Sequence, residues 1–140
     1  MVRKILHLLI FLILVPLILT SCKSEEPKLS IRTDIKTYML ELSSVQGITM
    51  TPQLEAKEQT KDIEYTWSTT EGGFINTIKN ESKKEVTNTG EAVLWSPTLD
   101  TKKEKSSLIE VTLKAKKNDK VIAESKITIE ETKGVYKVIE

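Results

Sequence analysis

The chain has 140 residues, 21 basic and 20 acidic, for a formal net charge of +1, with one histidine and one cysteine. That length holds one domain with a single core, and the near-balanced, interspersed Lys and Glu read as a solvated surface rather than the basic stripe that nucleic-acid binding requires, so no nucleic-acid partner is expected. Histidine-based triads and histidine-ligated zinc are excluded from everything after the first few residues, because His7 is the sole histidine.

The chain opens with the parts of an export signal. Arg3 and Lys4 form a positive start, Ile5 to Leu19 form an apolar run broken only by His7 and Pro16, and small residues follow up to Ser21. The run falls short of the roughly 20 apolar residues of a spanning helix, and Pro16 would break it, so residues 1–21 are expected to be removed. Without Arg3 and Lys4 the rest carries 19 basic against 20 acidic residues.

Leu19-Thr20-Ser21-Cys22 resembles the lipobox of bacterial lipoproteins. The resemblance implies that Cys22 carries a diacylglyceryl group on its sulfur and becomes the mature N-terminus, with the lipid bilayer as first partner. Two acyl chains, at about 0.8 kcal/mol per buried methylene, anchor stably where one is marginal. Lipidation would also remove the liability of an unpaired thiol in an oxidising compartment. Residues 22–28 are the lipidated start and a short linker. Lys23-Ser24-Glu25-Glu26-Pro27 spans on the order of 20 Å fully extended, which holds the domain close to the membrane surface. Lys23 is not the aspartate that resembles an inner-membrane retention signal, so an outer membrane is open as destination where the host has one.

Residues 29–140 read as one all-β domain, because the dominant period is two. Short strands are expected at Leu29–Arg32, Tyr38–Leu42 and Ile48 to Ala56, where Pro52 calls for an edge or a bulge. Ile63–Ser68 puts Ile63, Tyr65 and Trp67 on one face, and Gly72-Gly73 supplies a turn before Phe74-Ile75. Lys79–Asn88 is polar and reads as a loop, and Ala92–Ser96 is a strand stopped by Pro97. Ile109, Val111, Leu113 and Ala115 share one face of a strand. Beyond the turn signal Asn118-Asp119, a second strand turns Val121, Ala123, Ile127 and Ile129 inward, completing an antiparallel hairpin. Gly134–Glu140 is read as an added strand of the last sheet, the alternative being an unpaired strand offered to a partner. Short strands separated by turn signals point to a sandwich.

Tyr65-Thr66-Trp67-Ser68 with Gly72-Gly73, then Gly90 to Trp95 with Pro97, then the terminal hairpin, resembles bacterial immunoglobulin-like domains of the polycystic-kidney-disease (PKD) type. The resemblance implies an immunoglobulin-like antiparallel β-sandwich with Trp67 in the core between the sheets. No cysteine pair is present to staple them.

Chemistry is sparse. No cofactor and no metal are expected, and no catalytic residue is assigned. Glu25-Glu26 falls in the linker, and Glu130-Glu131 points to opposite faces of a strand end, both read as solvated. Gly72-Gly73 lacks the Lys-Ser/Thr of a phosphate loop. Asp34, Asp62, Asp100 and Asp119 lack the spacing of a calcium loop and read as turn residues. Asn80-Glu81-Ser82 matches a glycosylation sequon that is idle in a bacterial lipoprotein. Of the aromatics, Trp67 and Trp95 are expected inside, leaving Phe74 as the exposed ring and possible ligand contact. The expected role is non-enzymatic, either interaction with another envelope protein or structural support, with a wall-glycan-binding module as the alternative.

Overall fold

The computed structural model describes residues 26–44, 46–56, 61–76, 78–79, 81–97 and 107–139. The expected signal segment 1–21, Cys22, Asn80 and Asp100 lie outside the described residues. Eleven strands follow in chain order: β1 Lys28–Thr33, β2 Thr37–Met39, β3 Ile48–Glu55, β4 Ile63–Thr69, β5 Gly73–Asn76 and β6 Glu81–Lys83, then β7 Glu85–Asn88, β8 Val93–Ser96, β9 Ser107–Lys117, β10 Lys120–Thr132 and β11 Val135–Ile139. One sheet runs β1-β3-β8-β5-β6 and the other β2-β11-β10-β9-β4-β7, with every pair antiparallel.

Taking β1, β3, β4, β5, β8, β9 and β10 as strands A to G places A-B-E-D in the first sheet and C-F-G in the second. That is the immunoglobulin arrangement, reached in chain order, with β11 inserted between β2 and β10.

Alternation builds the core. Ile63, Tyr65 and Trp67 of β4 and Ile109, Val111, Leu113 and Ala115 of β9 are all buried, and within the β4–β9 register Tyr65 stands beside Ala115 and Trp67 beside Leu113. Each tryptophan reaches across the interior. Trp67, in the second sheet, meets Phe74 of the first edge-on at 6.3 Å between centroids. Trp95, in the first sheet, meets Tyr136 of the second at 5.9 Å, and its Nε1–H donates to Thr69 Oγ1 at 3.2 Å and to the Glu71 carbonyl at 3.1 Å. These two contacts bridge the sheets in a chain whose single cysteine leaves no pair for an intrachain disulfide. Trp67 Nε1, by contrast, is buried with no hydrogen-bond acceptor among the described residues.

The hairpin β9–β10 turns at Asn118 and Asp119, both at positive φ (51° and 63°), the type I′ signature of a two-residue turn. Lys133 (φ 51°) and Gly134 (φ 77°) repeat this between β10 and β11. β11 is therefore a sheet strand, as expected, with β10 on one side and β2 on the other. Pro52 lies in β3 beyond the three residues, Ile48–Met50, that pair with β8, so that half of β3 has β1 alone for a neighbour. A missing N–H costs little there.

Four expectations are corrected. Lys79–Asn88 is not a loop: β6 pairs with β5 and β7 with β4, and the stretch reads as polar because β6 is exposed throughout and β7 turns a single hydrophobic, Val86, toward the core. The strand from Tyr38 stops at Met39, where the N–H groups of Leu42 and Ser43 fold back onto the Met39 carbonyl. Val121 points outward and is 52% exposed, because β10 bulges between Val121↔Lys116 and Ala123↔Ala115. One inserted residue, Ile122, flips everything before it to the other face. Glu131 is buried rather than solvated, its carboxylate accepting from Gly134 N at 3.2 Å and Ser107 Oγ at 3.4 Å.

Candidate functional site

Two sheets of this kind end in four edge strands, and the edges are unequal. β2 and β6 have three residues each, β7 has four and β1 has six. β1 is hydrogen-bonded on one side only, to β3, in an unbroken register from Lys28↔Glu55 to Thr33↔Met50, and it lies close to β10 of the other sheet. Its other side presents unpaired backbone. Lys28, Ser30 and Arg32 are exposed, while Leu29, Ile31 and Thr33 are half-buried. This is the first strand after the linker, and charged residues at alternate positions are the device by which exposed edges resist self-association.

A groove of about 580 Å³ runs between this edge and the bulged part of β10. Pro27, Leu29, Ile122 and Ala123 supply its apolar lining, and Glu26, Lys28, Glu55 and Glu124 its charged lining. The bulge that turned Val121 outward also brings Ile122 here. Glu124 is engaged by Lys114 at 3.7 Å and Lys126 at 3.9 Å, and Glu55 stands opposite Lys28 on β3. Arg32 stands opposite Thr51 and makes no ion pair among the described residues.

A second concavity, of about 470 Å³, is lined by Asn76, Ile78, Lys79, Val86 and Val93, with Phe74 at its base. Phe74 itself is corrected as the exposed aromatic: it is 2% exposed. The Gly-Gly before it does not free it, because β5 is an interior strand in which Phe74 faces Trp95 of β8 on one side and Lys83 of β6 on the other. With Trp67 and Trp95 fully buried, no aromatic platform for a sugar ring is formed by these three residues. The exposed hydrophobic at this end is Ile78, 95% exposed on a turn whose N–H groups, at Ile78 and Lys79, both bond Asn76 Oδ1 at 3.1 Å.

The aspartates serve the chain itself. Asp34 Oδ1 accepts from Ile35 N at 2.8 Å and Thr49 N at 2.9 Å, and Asp62 and Asp119 occupy turn positions at φ 64° and 63°. Among the described residues no three His, Cys, Asp or Glu side chains are grouped to hold a metal ion. Glu130 and Glu131 point to opposite faces, as alternation requires, so they do not form a carboxylate pair. Tyr136 lies near Glu131, and burial first, then the Glu131 and Glu71 carboxylates and Tyr38, push its hydroxyl pKa upward.

Sequence reasoning passed over the β1 edge, although the alternating Lys28 and Arg32 in the first strand were a usable signal. No protein family, curated protein or solved structure matches the chain.

Proposed function

We propose that this chain is an exported bacterial lipoprotein, anchored through acylated Cys22, that displays a PKD-type immunoglobulin-like domain as a non-enzymatic interaction module of the cell envelope. The observation that carries the reading is the position of Leu19-Thr20-Ser21-Cys22, which follows an apolar run and precedes the first strand at Lys28 by only a short linker. An anchor so close to the sandwich favours a partner at the membrane over one reached by a stalk. The wall-glycan reading loses support with the burial of Phe74.

Growth of a bacterial host with an alkyne-tagged fatty acid tests the proposal. Labelling of the chain that disappears in Cys22→Ser is the expected result, and an unlabelled wild-type chain would refute it. Photo-crosslinking at the sandwich surface in the same cells then reads the partner, and a chain without crosslinked neighbours would count against the interaction role.

A further inference from the structure

We propose that β1 pairs antiparallel with β1 of a second copy of this chain, about a two-fold axis through Ile31, joining the first sheets of the two copies into one. The β3 side fixes the phase of the edge. Asp34 N donates to the Thr49 carbonyl at 3.1 Å, one step past the Thr33↔Met50 pair. Main-chain groups of successive residues point to opposite sides of a strand, so Lys28, Ser30 and Arg32 turn theirs to β3 as Asp34 does. Leu29, Ile31 and Thr33 turn theirs to the open side. Pro52 agrees with this phase, since it stands opposite Ile31 in a pair that exchanges no hydrogen bonds with β1. Among the described residues no hydrogen bond joins β1 to the nearby β10. The N–H and C=O of Leu29, Ile31 and Thr33 thus form an unfilled row, which is a template for another strand.

Charge and proline select the register. Two β1 strands related by a two-fold axis keep their half-buried residues on one side when the axis passes through a residue. Through Ser30, Lys28 meets Arg32 twice, and the edge cations repel. Through Leu29, Glu26 meets Arg32, but Ile31 then meets Pro27, which has no N–H to give. Through Ile31, Leu29 meets Thr33 and Ile31 meets itself, and each of these pairs can exchange both of its hydrogen bonds. In that register Lys28 stands opposite Asp34, and Ser30 opposite Arg32. The Lys28 and Asp34 pair recurs on both sides of the axis, at a position without main-chain bonds, where facing side chains lie closest. Asp34 is exposed, and its Oδ1 bonds to the Ile35 and Thr49 amides hold the carboxylate at the strand end. Lys28 and Arg32 therefore block one self-pairing and leave another open. The contact is closed, because each copy fills the other's edge.

The inference goes beyond the interaction reading by naming a second copy as partner, and it does not rest on the anchor. In one bilayer it sets the paired strands along the membrane, since the two Lys28 residues lie at opposite ends of the pair. The full chain, in density-matched mild detergent with micelles in large excess, is followed by sedimentation equilibrium and by amide hydrogen exchange at low and high concentration. A monomer–dimer equilibrium is expected. Exchange of Leu29, Ile31 and Thr33 should slow as concentration rises, while that of Ser30 and Arg32, already turned to β3, should not change. Lys28→Glu, at an exposed position, sets a carboxylate opposite Asp34 twice and should weaken dimerisation about tenfold, the size that two reversed cross-strand charge pairs supply. Arg32→Glu faces Ser30 and should leave the dimer unchanged. Tightening by either substitution would point to the Ser30 register, and weakening by Arg32→Glu to the Leu29 register, and each would overturn the inference. So would a chain that stays monomeric to on the order of 1 mM, concentration-dependent protection confined to other edges, or crosslinks from 28–33 in cells that reach only a different protein. Absence of fatty-acid labelling at Cys22 would refute the anchor and leave this result standing.

Discussion

Two buried tryptophans that look equivalent by exposure are predicted to respond differently to the same substitution. Trp67 and Trp95 are both 0% exposed, so Trp→Phe at either site removes a similar volume and incurs a similar cavity cost. The indole N–H separates them. At Trp95 it bonds Thr69 Oγ1 and the Glu71 carbonyl, and its loss costs about 1 kcal/mol net. At Trp67 it is buried without an acceptor among the described residues, and its removal returns roughly 1–3 kcal/mol of desolvation. Trp95→Phe should therefore be the more destabilising by about 2 kcal/mol or more. With a urea m-value of about 2 kcal/mol/M, that is a difference of about 1 M in midpoint, measurable by far-UV dichroism at constant m. Equal midpoints, or a lower one for Trp67→Phe, would refute the reasoning that polar satisfaction distinguishes the two sites.

Three further outcomes follow from the geometry. Gly72→Ala, at φ 69° with a Cβ that would fall 2.8 Å from Trp95 Cζ2, should cost clearly more in thermal unfolding than Gly134→Ala. Gly134 lies at φ 77° with open space around it, so Ala there costs about 1 kcal/mol, the left-handed penalty alone. Glu131→Ala removes the acceptor for Gly134 N–H and should destabilise by about 1–3 kcal/mol, with hydrogen exchange of the Lys133-Gly134 turn rising first. On the surface, the hydrogen bond and charge of Lys126 hold the Glu110 carboxyl below the usual range, and backbone N–H groups with the Thr89 hydroxyl do the same for Glu91. Folded values below unfolded ones stabilise fully above the unfolded value of about 4.3 and are lost as pH falls through the folded value. An acid titration of the thermal midpoint should fall across that window, and Glu110→Gln combined with Glu91→Gln should flatten it.

What was legible in the sequence follows from burial. β4 and β9 were readable because one face of each is buried against the opposite sheet, which forces the alternation Ile63-Tyr65-Trp67 and Ile109-Val111-Leu113-Ala115. β6 and β7 were not, because β6 is exposed on both faces and β7 turns only one hydrophobic, Val86, inward. The bulge at Ile122 is a property of register between two strands, invisible in either alone, and it misplaced Val121. Phe74 was misjudged by its glycine neighbours, when what decides its burial is the pair of strands on either side of it. The β1 edge combines all three difficulties. β1 shows a clear alternation, but that it is the outermost strand, and that the bulge opens a groove beside it, follows only from the assembled sheets.

Intact mass of the chain extracted from membranes of a bacterial host decides whether, as we propose, a short linker ties this sandwich to a membrane through Cys22. The expected mass is that of a chain beginning at Cys22 and carrying two or three acyl chains. A chain beginning at any other residue, with Cys22 unmodified, would contradict it.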